Sequence, residues 1–241
     1  MRKAIIIGAS SGIGMQLAKI MASVDFEIGL TGRRIELLEK LASELPCKVH
    51  TKYMDIADTQ EAMKALSDLI DEMGIVDLIF VSSGIGHVNY DLDWQLEQDT
   101  INTNVSGVTA IVNTAIKYFM KRKSGHLAVM SSVASLRGSA ECPAYNGSKA
   151  YISNYIEGMR CKVKKQDLKI TVTDIKAGLI DTAMAKGEGL FWVMPLEKAT
   201  KQIYKALLKK KSEVYVTKRW RLIGLILKRM PNSLYHKKRG Y

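Results

Sequence analysis

The strongest constraint on this chain is an alternation that runs almost from end to end. Short apolar runs, KAIIIG (3–8), FEIGLT (26–31), KVHTKYM (48–54), VDLIFVSS (76–83), HLAVMSS (126–132), KITVTDIKA (169–177) and SEVYVT (212–217), read as strands. Between them MQLAKIMA (15–22), IELLEKLASEL (35–45), TQEAMKALSDLIDEM (59–73), two stretches over 92–122, Pro143–Gln166 and LEKATKQIYKALLKK (196–210) carry apolar residues at helical spacing. Strands joined by connections of helix length pair in parallel, which predicts a doubly wound sheet covered by helices on both faces.

About seven strands fit one domain, expected over 1–217, and the remaining 218–241 form a basic tail. The net charge of +12 is unevenly placed: Met1–Glu197 carries 22 basic and 23 acidic residues, Lys198–Tyr241 carries 14 basic residues against Glu213 alone. The tail therefore needs its own explanation. Cys47, Cys142 and Cys161 have neither metal-ligand spacing nor the density of a disulfide framework, so no metal is expected and a reducing cytoplasm is the simpler compartment.

Residues 7–14 read IGASSGIG. Gly8, Gly12 and Gly14 free a strand-to-helix turn of Cβ atoms, so a pyrophosphate can lie against backbone N–H groups at the positive end of the next helix. Ser10 and Ser11 add hydroxyls, and Ile13 completes the turn. This is the arrangement of a Rossmann-type sheet. Where an NAD site places a carboxylate near the adenosine ribose, LTGRRIE has none between Gly29 and Ile35 and instead offers Arg33 and Arg34, which suit a 2′-phosphate. NADP(H) is the expected cofactor.

Tyr145 and Lys149 are four apart at the start of a predicted helix and share a face. A nearby ammonium lowers a phenol's pKa, which favours proton exchange with a carbonyl or alcohol oxygen. Ser132 ends the preceding strand, at the edge where such sheets bind ligands. With these motifs the chain resembles the short-chain dehydrogenase/reductase family from Lys3 to about Thr217. GASSGIG matches the family's glycine motif with Ile7 in place of its usual threonine, Asp55-Ile56 matches the pair beside the adenine, NVSG supplies Asn104, and Ser132 precedes Tyr145 by the usual thirteen residues. Two motifs depart from the family: Val81-Ser82-Ser83-Gly84 replaces N-N-A-G, and Ala177-Gly178-Leu179-Ile180-Asp181-Thr182 replaces P-G-x-V-x-T.

The resemblance implies hydride transfer between nicotinamide and a carbonyl carbon, with Asn104, Ser132, Tyr145 and Lys149 as the catalytic set. Tyr145 donates the proton, Ser132 polarises the oxygen, Lys149 holds the nicotinamide ribose and lowers the tyrosine pKa, and Asn104 positions a relay water. Ser82, Gly84, Ile180 and Thr182 join the cofactor set, and a homodimer or homotetramer is expected.

AMAKGEGLFWVMP, after Thr182, stands where the family places its substrate lid; Met184, Phe191 and Trp192 either line an apolar pocket or pack the lid down. In the tail, Trp220, Ile223, Ile226, Leu227 and Met230 fall on one side of a helix over 218–230, with cations opposite. That helix either lies in a membrane interface, which would place the protein peripherally on the inner face, or packs over the substrate mouth or a partner subunit. Nucleic acid explains the charge less well, since no recognisable binding module accompanies it. The leading expectation is an NADPH-dependent reductase of a lipophilic ketone such as a keto lipid or steroid. The alternatives are an NADP-dependent dehydrogenase of a small polar hydroxy compound and a non-catalytic NADPH-binding regulator or membrane-surface scaffold.

Overall fold

The computed structural model describes residues 1–184 and 192–237. Seven strands, β1 (Arg2–Ile7), β2 (Phe26–Gly32), β3 (Val49–Tyr53), β4 (Leu78–Val81), β5 (Ser124–Ser132), β6 (Lys169–Ala177) and β7 (Glu213–Val216), form one sheet in the order β3-β2-β1-β4-β5-β6-β7. Every pairing is parallel. The helices are α1 (Gly12–Ala22), α2 (Ile35–Glu44), α3 (Thr59–Met73), α4 (Trp94–Ile101), α5 (Val108–Arg122), α6 (Pro143–Lys165), α7 (Leu196–Leu208), α8 (Lys218–Arg229) and α9 (Asn232–Lys237). The expected architecture is present: strands are added outward from β1 to β3 on one side and from β4 to β7 on the other, so β1 and β4 flank the switch point at whose carboxyl edge such sheets bind ligands.

Alternation along the central strands sorts the core into two layers. Ile5, Ile7, Ile79 and Val81 face α3, α5 and α6, while Ala4, Ile6, Leu78 and Phe80 face α1, α2 and α7. A strand buried on both faces needs a continuous apolar run, which is why VDLIFVSS carries no polar alternation. Local signals set the helix ends. Asp58 accepts from the Glu61 N–H at 3.3 Å, Asp93 from the Gln95 N–H at 2.8 Å, and Gly74 closes α3 at φ 73°.

β4 is shorter than the run that predicts it. Ser82 and Ser83 leave the ladder and turn their N–H groups onto the Ile7 carbonyl, at 2.9 and 3.1 Å. Between α4 and α5 the helix widens into a π turn over Asn102–Gly107. Such turns are rare and frequently mark functional sites; here the turn encloses Asn104, which is fully buried.

The tail packs onto the body. Trp220 is buried against Gly178, and Gly224 leaves room for Leu136 and Tyr215. Arg137 donates to the Met230 carbonyl at 3.0 Å and to Asn232 Oδ1 at 2.9 Å, and its guanidinium lies 4.3 Å from the Tyr235 ring centroid. Tyr235 donates to the Gly138 carbonyl at 2.5 Å. Of the face expected to meet lipid, Trp220 is buried and Ile223 and Leu227 are half-buried, whereas Ile226 is exposed. No helix among the described residues is long and apolar enough to cross a membrane.

Candidate active site

The glycine turn joins β1 to α1. Gly8 has φ +87° and Gly12 φ +57°, both in the left-handed region that a side chain disfavours. A Cβ at Gly8 would lie 2.6 Å from Ser83 Oγ, and one at Gly14 would strike the Gly8 carbonyl oxygen. At Gly12, Thr182 Cγ2 is the only atom of the described residues within 4 Å of such a Cβ, at 3.7 Å. Among the described residues the cradle is therefore tight at Gly8 and Gly14 and open at Gly12. No carboxylate lies in the first turn of α1, so the helix does not itself compensate its positive end.

Serines occupy the positions where the family motif has asparagines, and they hold the turn. Ser82 Oγ is 2.9 Å from the Ile7 carbonyl oxygen and 3.2 Å from that of Gly8. Ile7 itself points into the core at 1% exposure, so its backbone supports the turn while its side chain packs.

Arg34 reaches the cradle from the end of β2. Its Nη2 donates to Ser10 Oγ and Ser11 Oγ, each at 2.8 Å. The guanidinium thus stands beside the turn, exposed and able to pair with a phosphate. Arg33 is exposed, and no side-chain partner is seen for it among the described residues. Asp55 Oδ1 accepts from the Ala57 N–H at 3.0 Å, and the Ile56 side chain is buried in the core, leaving backbone as what it can offer a ligand. Glycines with no room for a Cβ, a helix start with no carboxylate of its own and an adjoining arginine fit a dinucleotide carrying a 2′-phosphate.

The four polar residues singled out by the motifs meet at the same edge. Ser132 ends β5, its Oγ accepting from the Ala134 N–H at 3.1 Å and lying 3.2 Å from the Ala177 carbonyl oxygen. Tyr145 and Lys149 project from the first turns of α6, which Pro143 opens. Lys149 is buried and donates to the Met130 carbonyl at 3.2 Å. A Cβ on Gly84 would sit 3.2 Å from Asn104 Oδ1 and 3.3 Å from Lys149 Nζ, so that glycine is what lets the two approach. Asn104 clamps the loop after β4: Oδ1 accepts from the Ile85 N–H at 2.9 Å, and Nδ2 donates to the Ile85 carbonyl at 2.7 Å and to Ser148 Oγ at 3.1 Å.

Burial decides the electrostatics. It pulls the Lys149 amine down to about 8, against the opposing pull of Asp174. Burial also pushes the Tyr145 phenol up, and hydrogen bonding with Ser132 opposes this. The sequence pointed to Lys149 as lowering the Tyr145 phenol; desolvation dominates instead, and Ser132 is what opposes it, with Lys149 Nζ 5.7 Å from the ring centroid.

Some contributors escaped the sequence reading. Asp174, fully buried, is bonded to Ser131 and Lys176, and Lys176 reaches Glu213 at 2.7 Å. Gly86 lies against the Tyr145 ring, where a Cβ would come within 2.9 Å of Cδ2. The break in alternation at Thr173-Asp174 in β6, which puts Asp174 and Lys176 on the side that Ile170 and Val172 occupy, was the available signal for the first. Past β6, Thr182 Oγ1 is 3.3 Å from the Ile180 carbonyl oxygen, and Ile180 is buried. Met184 and Trp192 are half exposed, with the Arg219 guanidinium 5.8 Å from the Trp192 ring centroid. Phe191 lies outside the described residues. Among those described, no group of three or more metal-ligating side chains occurs.

The short chain dehydrogenase family model matches residues 2–190, and the chain belongs to that family of oxidoreductases. An uncharacterized oxidoreductase of Myxococcus xanthus is 31% identical over 175 residues, 70% of this chain and 69% of that protein. One from Mycobacterium tuberculosis is 31% identical over 192 residues, 76% and 75% of the two chains. Among solved structures, a short-chain dehydrogenase from Burkholderia cenocepacia in complex with NADP superposes with TM-score 0.84 at 18% identity, over 99% of both chains. A 7β-hydroxysteroid dehydrogenase superposes with TM-score 0.83 at 19% identity, over 100% of this chain and 97% of the other.

Proposed function

We propose that the protein is an NADPH-dependent reductase of a lipophilic ketone, with Tyr145 as the proton donor. The observation that carries this reading is the meeting of Tyr145, Ser132, Lys149 and Asn104 beside a glycine cradle that Arg34 borders. NADP complexes among fold neighbours support the cofactor.

The nicotinamide, when bound, supplies the hydride. Every other requirement falls to side chains. Tyr145 Oη gives its proton to the substrate oxygen, and Ser132 Oγ holds that oxygen while charge develops on it. Lys149, poised at about 8, returns a proton toward the phenolate near neutrality. Asn104 keeps the loop over Gly84 fixed so that the amine stays in place.

The substrate class rests on the apolar mouth: Met184, Trp192 and Val193 are exposed beside the loop that follows β6. The 7β-hydroxysteroid dehydrogenase shares the fold and acts on a molecule of that kind. The protein works as a homo-oligomer, at a membrane surface that α8 contacts. The test is Tyr145→Phe, assayed with NADPH and a panel of keto lipids, steroids and small ketoesters. NADPH binding stays within about twofold and turnover disappears; retained turnover refutes the assignment.

A further inference from the structure

Helix α8 is apolar on two opposite sides. At about 100° per residue, Trp220, Gly224 and Leu227 share the side that packs on Gly178, Leu136 and Tyr215. Leu222, Leu225 and Ile226 fall within an arc of about 100° on the far side. They are 66%, 47% and 54% exposed, although an amphipathic helix lying on a protein normally turns charge outward. Cations frame them: Arg229 falls within the arc and Arg221 and Lys228 along one margin, all exposed. No acidic residue lies in α8.

We infer that this outward ridge docks on a membrane surface bearing anionic lipid. The inference deepens the membrane-contact reading above and rests on it, but exchanges the face: the indole side is committed to the protein, and the Leu222 side is the one left for lipid. Three aliphatic side chains can enter the acyl boundary while the guanidinium and ammonium groups stay level with phosphate headgroups. With 12 residues the helix is about 18 Å long against a hydrocarbon core of about 30 Å, so it lies in the interface and does not cross. The 14 basic residues after Glu197, opposed by Glu213 alone, supply attraction over a longer range.

Other occupants fit less well. A two-fold contact between copies of the ridge would bring the cations Arg221, Lys228 and Arg229 of one copy against those of the other, with no acidic residue in α8 to offset them. A nucleic acid would meet three leucine-like side chains in the middle of the cationic face, where they offer neither stacking nor a phosphate contact.

The experiment uses the full chain and needs no turnover. Wild type, Leu222→Ser/Ile226→Ser and Arg221→Glu/Lys228→Glu/Arg229→Glu are sedimented with vesicles of phosphatidylcholine alone and of phosphatidylcholine mixed with phosphatidylglycerol. Wild type binds the mixed vesicles, and the binding falls with added salt. Each variant loses at least about tenfold in partitioning. Melting temperature and NADPH oxidation with a soluble ketone are unchanged in the Leu222→Ser/Ile226→Ser variant, since both side chains are more than half exposed. Absence of wild-type binding, equal binding to neutral vesicles, or unaltered binding by either variant overturns the inference. So does a wild-type oligomer that the Leu222→Ser/Ile226→Ser variant dissociates, which would make the ridge a subunit interface. Ketone reduction that persists without vesicle binding would leave the enzymatic reading standing.

Discussion

Lys149 donates to the carbonyl of Met130 across 3.2 Å, a bond that ties the amine to β5 rather than to the Tyr145 ring four residues earlier on its own helix. Held there, the amine has a pKa of about 8, set by desolvation and opposed by Asp174. The protonated form is lost as pH rises through that value. In the direction of reduction, kcat/KM is therefore expected to decline above about pH 8. Asp174→Asn removes the opposing anion, so the amine falls further and the alkaline limb moves to lower pH. pH–rate profiles of the two proteins check this; superimposable alkaline limbs would show that Lys149 does not set the limb.

Burying that amine destabilises the fold. Below about pH 8 Lys149 is charged in folded and unfolded chains alike, and only the folded chain bears the desolvation. Between about 8 and 10.5 the unfolded chain keeps a proton that the folded one has shed, so stability rises with pH. The shift corresponds to about 3 kcal/mol. Lys149→Met is expected to abolish turnover and to raise Tm at pH 7 by several degrees, an advantage that fades by pH 10. Thermal scans across pH measure it, and a variant less stable than wild type at pH 7 contradicts it.

His126, buried on β5, follows the same rule in an acidic window. Burial first, and then Lys210, pull its pKa down from 6.5 to about 4. Its Nε2 is 2.8 Å from Thr173 Oγ1, whose own proton goes to the Lys211 carbonyl at 2.6 Å, so Nε2 carries the hydrogen of a neutral ring. As pH falls from 6.5 toward 4 the unfolded chain takes up a proton that the folded chain refuses, which removes about 3 kcal/mol of stability. His126→Gln keeps a donor and removes the titration. Its denaturant midpoint is expected to fall less steeply over this window than that of wild type; parallel curves would contradict the linkage.

Arg34 makes a sharper claim on cofactor choice than Arg33. Its bonds to Ser10 and Ser11 place it at the cradle, whereas Arg33 points to solvent. Arg34→Ala is expected to weaken NADPH binding by about tenfold or more and leave NADH binding nearly unchanged. Arg33→Ala has the smaller effect. Fluorescence titrations with both cofactors decide the order.

The β/α alternation was legible because strands buried on both faces and amphipathic helices leave different periodicities, and every expected strand is present within a few residues. The grouping of Ser132, Tyr145 and Lys149 at one edge was legible for a related reason: the Ser132 to Tyr145 interval and the Tyr145 to Lys149 helical turn are local spacings. Contacts between distant segments leave no such trace. That Ser82 would brace the Ile7 and Gly8 carbonyls depends on where β4 ends against β1. The helical wheel of the tail showed that Trp220 and Leu227 share a side, but not whether lipid or Gly178 would meet it. Burial is equally nonlocal, and it reversed the expected direction for Tyr145.

Gly178 and Trp220 offer the closing test of how the tail supports the site. A Cβ at Gly178 would strike the indole at Cδ1 and Nε1, so the glycine is required for α8 to seat. The same turn leads into Ile180 and Thr182, and Thr182 stands over Gly12 in the cradle. Gly178→Ala is therefore expected to lower Tm and to weaken NADPH binding together, because the turn must shift to admit the methyl group. Trp220→Ala leaves a cavity under α8 and costs about 3–5 kcal/mol. In the double variant the methyl group occupies space the indole has left, so the combined loss is smaller than the sum of the single losses. Urea denaturation and NADPH titration of the four proteins complete the cycle. Strict additivity would mean that the two residues act independently, and that the tail does not reach the cofactor turn through this contact.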